Sequence, residues 1–204
     1  WIFKQMYDKG FIYKGLRVLL YCPHCATPIS NFEVAMDPDN YKMLKDPSTI
    51  YKYELRTKNE KLKTYLLAWS TTPWNKIVTP ALAVNPKLTY VKVRQGSEEY
   101  ILAKETIKML KGVSLEKDTP CKILEEFKGA ELVGKKFVPH YDYYIKKETE
   151  GSSKKAFVVV GGDFVTAEEG TGIVTIAPYG EEDLPAMQAN NIHIETHLDD
   201  EGRI

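Results

Sequence analysis

Hydrophobic positions change their period along this chain. At the start, Ile2, Phe3, Met6 and Tyr7 fall at helical spacing and Gly10 follows where a left-handed cap belongs, so a short amphipathic helix is predicted over residues 1 to 9. Leu16 to Tyr21 is an apolar run suited to a buried strand, and it leads into the punctuated loop Cys22-Pro23-His24-Cys25-Ala26-Thr27-Pro28. Residues 35 to 48 read as loop. From about residue 49 the period becomes two: Tyr51, Tyr53 and Leu55 alternate with Lys52, Glu54 and Arg56, Tyr65, Leu67 and Trp69 share one face, and Val91 and Val93 alternate with polar neighbours. Ile123 with Leu124, Phe157 to Val160 and Ile173 to Ile176 add further short apolar segments. Helices are predicted at Lys104 to Lys111, ended by Gly112, and at Glu181 to Ala189, where Pro185 is tolerated only in the first turn. The charged stretch Lys146 to Lys155 reads as a solvated hairpin tip or an insertion. The expected fold is mainly β with a few short helices, a mainly antiparallel barrel or sandwich.

Composition narrows the classes. The chain has 204 residues, 43% hydrophobic and 27% charged, so it can bury a core and does not belong among disordered sequences. Twenty-eight basic residues balance twenty-eight acidic ones, which excludes holding a polyanion through bulk charge; a nucleic-acid partner would have to be delivered from elsewhere. Cys22, Cys25 and Cys121 are too few for a disulfide framework and fit a reducing, intracellular setting. No apolar run approaches the roughly 20 residues of a membrane span. The beginning at Trp1, with no secretory leader pattern, reads as a cut through a longer polypeptide.

Phosphate-binding glycine loops, the serine nucleophile elbow and the H-E-x-x-H zinc motif are all absent from the sequence. Cys22-x-x-Cys25 supplies two of the four ligands a tetrahedral zinc needs, and reads either as a half-site completed elsewhere or as a loop with two free thiols. In Trp69-Ser70-Thr71-Thr72-Pro73-Trp74-Asn75 three adjacent hydroxyls follow a strand, and Pro73 pushes Thr72 out of the helical region. Such a turn can present donors and acceptors to a polar ligand, or it can simply satisfy its own backbone. In Glu168-Glu169-Gly170-Thr171-Gly172-Ile173-Val174-Thr175-Ile176-Ala177-Pro178-Tyr179-Gly180-Glu181-Glu182-Asp183 a tight turn feeds a strand, which ends before an acidic triplet that opens a helix. One of those carboxylates could grip a substrate ammonium, and the bland alternative is ordinary helix N-terminal charge.

Taken together, these segments resemble the editing insertion of the isoleucyl-tRNA synthetases. Ser70-Thr71-Thr72-Pro73-Trp74 with Ala81-Leu82-Ala83-Val84-Asn85-Pro86, and Gly170-Thr171-Gly172-Ile173-Val174 through Ala177-Pro178 to Gly180-Glu181-Glu182-Asp183, match its two signature segments in order and spacing. Tyr21-Cys22-Pro23-x-Cys25 with Ser30-Asn31-Phe32-Glu33-Val34 resembles its beginning, so the likeness spans nearly the whole chain. The valyl and leucyl relatives resemble one another in carrying Thr-Thr-Arg-Pro where this chain has Thr71-Thr72-Pro73-Trp74. The HIGH and KMSKS signatures of the amino-acid-activating core are missing, as expected of an excised domain.

The resemblance implies a connecting segment over residues 1–48 and an editing β-barrel over 49–204 that hydrolyses the ester of valine mischarged onto tRNA(Ile), in the cytoplasm. Its implied partners are the valine-bearing tRNA 3′ end and the catalytic core of the parent enzyme, with no membrane. Carried over by residue, Asp183 holds the α-ammonium, Thr71 and Thr72 act with Asp183 in catalysis, and Ser70, Trp74, Thr79 and Thr175 bind substrate. No metal is needed for editing, while Cys22 and Cys25 resemble half of a structural zinc site whose other half lies beyond Ile204. Departures occur at Asn75-Lys76-Ile77-Val78-Thr79, at Thr175 where the pattern has His, and in a loop one residue shorter before the acidic triplet. They motivate the second reading, a tRNA-docking module that has lost hydrolysis.

Overall fold

In the computed structural model, which describes residues 1–36, 38–57, 62–112, 121–141 and 153–204, the chain opens with helix α1 (Ile2–Asp8). Gly10 ends it at φ +75°, and the N–H groups of Gly10 and Phe11 donate to the carbonyls of Tyr7 and Met6 at 2.9 and 3.0 Å, closing a Schellman cap. A hairpin of β1 (Leu20–Cys22) and β2 (Thr27–Ile29) carries the cysteine loop. Helix α2 (Asn31–Ala35) then starts with a capping box between Ser30 and Glu33. The buried strand expected over Leu16 to Tyr21 is not found: pairing begins at Leu20, and Leu16 is 64% exposed. The apolar run marks a surface that favours cover, but no described element of this chain lies over it. No described residue before Thr49 is buried.

From Thr49 onward strands dominate: β3 (Thr49–Glu54), β4 (Thr64–Ser70), β5 (Ala81–Val84), β6 (Thr89–Gln95), β7 (Glu98–Ala103), β8 (Lys122–Lys128), β9 (Val158–Gly161) and β10 (Ile173–Ile176), followed by helix α3 (Asp183–Ala189). Following hydrogen bonds around, β3 pairs with β4, β4 with β10, β10 with β5 and β5 with β9. Short bridges at Lys136 to Val158 and Phe137 to Leu55 return the ring to β3 and close the barrel. β7, β6 and β8 extend as a wing from the first half of β4. Among the described residues, four of the sheet's seven strand pairings are antiparallel, as expected, but β4–β10, β4–β7 and β5–β9 run parallel and make it mixed. A period-two pattern reports the pleat and is blind to strand direction.

β4 is thus shared, with β7 alongside Thr64 to Leu66 and β10 at Trp69, and the Gly-Thr-Gly turn sits in that fork. Thr171 is fully buried; its hydroxyl donates to the Leu67 carbonyl at 2.6 Å and its carbonyl accepts from Ala103 N–H at 2.9 Å. Gly172 has φ +72°, and a Cβ there would stand 2.4 Å from that of Ala103. Only glycine fits this approach.

Leu66, Ala68, Leu82, Ile101, Ile173, Tyr53 and Phe137 fill the barrel. A second cluster packs Ala81, Ala83, Val160 and Ile176 against Met187 of α3. On β4 the sequence pattern favours the wrong face: Tyr65 and Trp69 stay half-buried, while Leu66 and Ala68 line the interior. Leu67 is buried as well, in a third cluster with Leu110. Both faces of this strand are therefore covered, and alternation alone cannot rank them. The helix expected over Lys104 to Lys111 is present as the 3₁₀ helix Lys104–Gly112, Ile123 and Leu124 of β8 are exposed at 47% and 38%, and the insertion expected over Lys146 to Lys155 lies mostly outside the described residues.

Candidate functional site

Strand direction brings the two signature segments together. β4 and β10 run parallel with Trp69 opposite Val174, and β10 runs against β5 with Ile176 opposite Ala81. The end of β4, the end of β10 and the start of β5 therefore share one end of the barrel, and Ser70 to Thr72, Ala177 and Thr79 leave the sheet there. Alternation along each strand puts Ser70 on the interior face with Leu66 and Ala68, and Thr175 on it with Ile173. Extending the Trp69–Val174 register by one residue sets Thr175 beside Ser70.

Beyond Ser70 the chain bends, and Pro73–Ile77 forms a 3₁₀ turn with Thr72 outside the helical region at φ −120°, ψ 75°, as the following proline requires. The Ser70 hydroxyl accepts from Thr72 N–H at 3.1 Å, and the two hydroxyl oxygens are 3.2 Å apart. Asn75 Nδ2 donates to Thr72 Oγ1 at 2.9 Å. Behind the turn, Tyr53 OH donates to Thr79 Oγ1 at 3.0 Å, and Thr79 donates to the Asn75 carbonyl at 3.1 Å. Tyr51 OH bonds the Pro73 carbonyl at 3.0 Å. Burial holds the Tyr53 hydroxyl well above its ordinary pKa, so it remains a donor.

The expected site residues thus separate. Ser70 and Thr72 form a hydroxyl pair at the barrel end, and Thr175 is half-buried beside them. Thr71 is exposed, and Trp74 is 47% exposed. Thr79, expected to bind substrate, is buried with its hydroxyl engaged on both sides, so it braces the turn instead. Asn75 and Tyr53 were not among the expected site residues. Asn75 closes the hydroxyl-bearing turn and opens the segment that departs from the family pattern, with no role of its own assigned, and Tyr53 reads as one more residue of an alternating strand.

Asp183 opens α3, with Pro185 in the first turn as expected. Its Oδ2 accepts from the N–H of Ala177, the residue just past β10, at 3.1 Å. Gly180 makes this possible, since a Cβ there would lie 2.6 Å from Oδ2. Burial, opposed by the Ala177 N–H and reinforced by the neighbouring Glu182 charge, pushes the Asp183 carboxyl up to about 6. The loop between is held by Tyr179, whose OH accepts from the N–H groups of His197 and Leu198 at 2.8 and 3.3 Å. A partly buried carboxylate held at the barrel end where a hydroxyl pair also leaves the sheet can bind an ammonium group.

Cys22 and Cys25 face each other across the hairpin loop, with Cys25 N–H 3.4 Å from Cys22 Sγ, a bond that favours the Cys22 thiolate. Among the described residues no group of three or more His, Cys, Asp or Glu could hold a metal ion. Two thiols do not complete a tetrahedral zinc site. Cys121 is exposed at the start of β8, away from this pair in the chain. No helix among the described residues is long and apolar enough to cross a membrane.

Comparison with known proteins identifies the family and the fold. Residues 1–169 match the family model for class I tRNA synthetases (I, L, M and V). An isoleucine–tRNA ligase of Tetrahymena thermophila is 43% identical over 195 residues, covering 94% of this chain and 17% of that protein. One from Mycobacterium tuberculosis is 39% identical over 207 residues, covering all of this chain and 19% of that protein. The chain therefore spans about a fifth of the length of these relatives. The crystal structure of GlLeuRS-CP1 superimposes with a TM-score of 0.50 at 17% identity, over 65% of this chain and 53% of that one, and so shares its fold. On the strength of a family match across most of its length, the chain belongs to the class I tRNA synthetases, similar in sequence to isoleucine–tRNA ligases and in its barrel to a CP1 domain.

Proposed function

We propose that this chain is an editing domain that hydrolyses the ester of valine mischarged onto tRNA(Ile). The observation that carries this reading is a carboxylate, Asp183, fixed by Ala177 N–H at the barrel end where the Ser70–Thr72 hydroxyl pair also lies. An arriving α-ammonium would restore the ionised form of Asp183, which burial disfavours. With the amine anchored, the ester carbonyl lies against the hydroxyl pair, which donates to the developing oxyanion while water attacks. Size exclusion at the barrel mouth, with Thr175 in its wall, supplies the second sieve: one methylene is worth only about 1 to 3 kcal/mol in a synthetic pocket, the handicap that editing offsets in this family. In this reading residues 1–48 connect to a synthetic core, residues 49–204 form the hydrolytic unit, and the setting is the cytoplasm. Zero net charge leaves delivery of the tRNA to that core. Cys22 and Cys25 contribute half of a structural zinc site, away from the chemistry.

The test is deacylation of valyl-tRNA(Ile) against isoleucyl-tRNA(Ile) by the chain at its full natural length. Preferential release of valine, lost in Asp183→Ala, supports the reading. Binding of the tRNA without release of either amino acid would favour the docking module that the altered 75–79 segment suggests.

A further inference from the structure

We propose that Asn75 is a positioning residue that sets the direction of the Thr72 hydroxyl proton, so that the turn offers the ester a hydrogen-bond donor. The proposal rests on the deacylation reading above and adds to it a residue outside the pattern that the chain resembles.

The argument is a count of protons. Tyr53 spends its hydroxyl proton on Thr79, and Thr79 spends its own on the Asn75 carbonyl. Ser70 Oγ already accepts from Thr72 N–H, and Thr72 Oγ1 already accepts from Asn75 Nδ2. The Ser70 and Thr72 hydroxyls hold two protons between them, and their mutual contact can use only one. One proton is left over, whichever hydroxyl donates to the other, and it can be aimed at a ligand. That surplus exists only because Asn75 presents its NH₂ group to Thr72. Were an acceptor to face Thr72 instead, Thr72 would donate inward, Ser70 would donate to Thr72, and no hydroxyl proton would remain for an oxyanion.

A second observation points the same way. Asn75 Oδ1 is buried and has no hydrogen-bond partner. A buried acceptor left unsatisfied is a defect that folded proteins avoid unless the orientation serves something else. Behind the turn, Thr79 pins the Asn75 backbone carbonyl and Tyr53 pins Thr79, which fixes the stretch of backbone that carries this amide. The amide's donation to Thr72 is what gives the hydroxyl row its polarity in this proposal.

The experiment compares Asn75→Asp with Asn75→Ala in valyl-tRNA(Ile) deacylation by the full natural chain, alongside Thr72→Ala, the Asn75→Asp/Thr72→Ala double variant and Asp183→Asn. If Asn75 merely fills space, Asn75→Asp, which keeps shape and a bond to Thr72, stays nearer to wild type than Asn75→Ala. If it sets polarity, the order reverses. The carboxylate can only accept, so kcat falls by about tenfold or more with KM within about twofold. Asn75→Ala leaves Thr72 free to donate outward and loses only about two- to threefold. In the Thr72→Ala background the Asn75→Asp effect disappears, because it acts through that proton; a loss of equal size in both backgrounds would signify charge repulsion and overturn the proposal. Asn75→Ser, whose hydroxyl can donate, is expected to retain more activity than Asn75→Asp, and thermal melts of each variant identify any that fail to fold. Should Asn75→Asp be such a variant, Asn75→Ser falling below Asn75→Ala would overturn the proposal and the opposite order would support it. If Thr72→Ala and Asp183→Asn both lose deacylation while Asn75→Asp outperforms Asn75→Ala, only this inference falls. If neither of those two loses activity, the deacylation reading falls and this inference with it.

Discussion

Replacing Asp183 by Asn should make the protein more stable and less active at once. The carboxyl is pushed from 3.8 to about 6, chiefly by burial, so the ionised form is disfavoured in the folded chain. At about 1.4 kcal/mol per unit, the ionised group costs the fold up to about 3 kcal/mol at pH 7. The sign follows from proton binding: the folded state holds the proton more tightly, so stability rises as pH falls from above 6 towards 4 and is level above and below that window. Asn carries no charge to desolvate and its Oδ1 can still accept from Ala177 N–H, so Asp183→Asn should gain about 1 to 3 kcal/mol at pH 7 and lose this pH dependence. The same change removes the counter-charge for the ammonium, a charge-assisted bond worth about 1.5 to 3 kcal/mol, or roughly 10- to 150-fold in deacylation. Urea unfolding at pH 4 to 8, paired with deacylation kinetics on valyl-tRNA(Ile), measures both. The wild-type rate should also decline as pH falls through about 6. A variant that is less stable at pH 7 and fully active would refute both the burial argument and the assigned role.

Other consequences are as specific. Gly172→Ala places a methyl 2.4 Å from Ala103 Cβ at a positive φ, and should lower stability by about 2 kcal/mol or more in urea titrations by prising β4 from β7. Thr79→Val leaves Tyr53 OH without its acceptor and the Asn75 carbonyl without its donor; a loss of about 1 to 3 kcal/mol and a reduced deacylation rate with little change in KM are expected. Leu66→Ala empties the barrel centre and should cost about 2 to 5 kcal/mol, whereas Leu124→Ala on exposed β8 should change stability by less than about 1 kcal/mol, both read from denaturant midpoints. Zinc analysis of the natural full-length chain should show metal lost on Cys22→Ser/Cys25→Ser; retention would refute the half-site.

Much of this protein is decided by local sequence. The α1 cap at Gly10, the release of Thr72 from helix by Pro73, the period of β3 and the tight Gly170-Thr171-Gly172 turn each depend on a few adjacent residues, because φ preferences and the pleat act over short range. The segments around Ser70 and Asp183 are legible by a different route, their resemblance to the isoleucyl-tRNA synthetase editing insertion, since read locally each has an ordinary turn or helix-end alternative. What local pattern does not carry is direction and partnership. Period two in β4 is identical whether its neighbour runs parallel or antiparallel, and whether one face or both are covered, so the fork to β7 and β10 and the interior role of Leu66 emerged only in three dimensions. The fork then decided the site. It set Thr175 in register beside Ser70, brought Ala177 and Asp183 to the same barrel end, and turned Thr79 inward to Tyr53. The bonds of the hydroxyl row itself are local, since Ser70 and Asn75 both lie within three residues of Thr72, and only its brace is tertiary: Tyr53 reaches Thr79 from a strand far off in the chain.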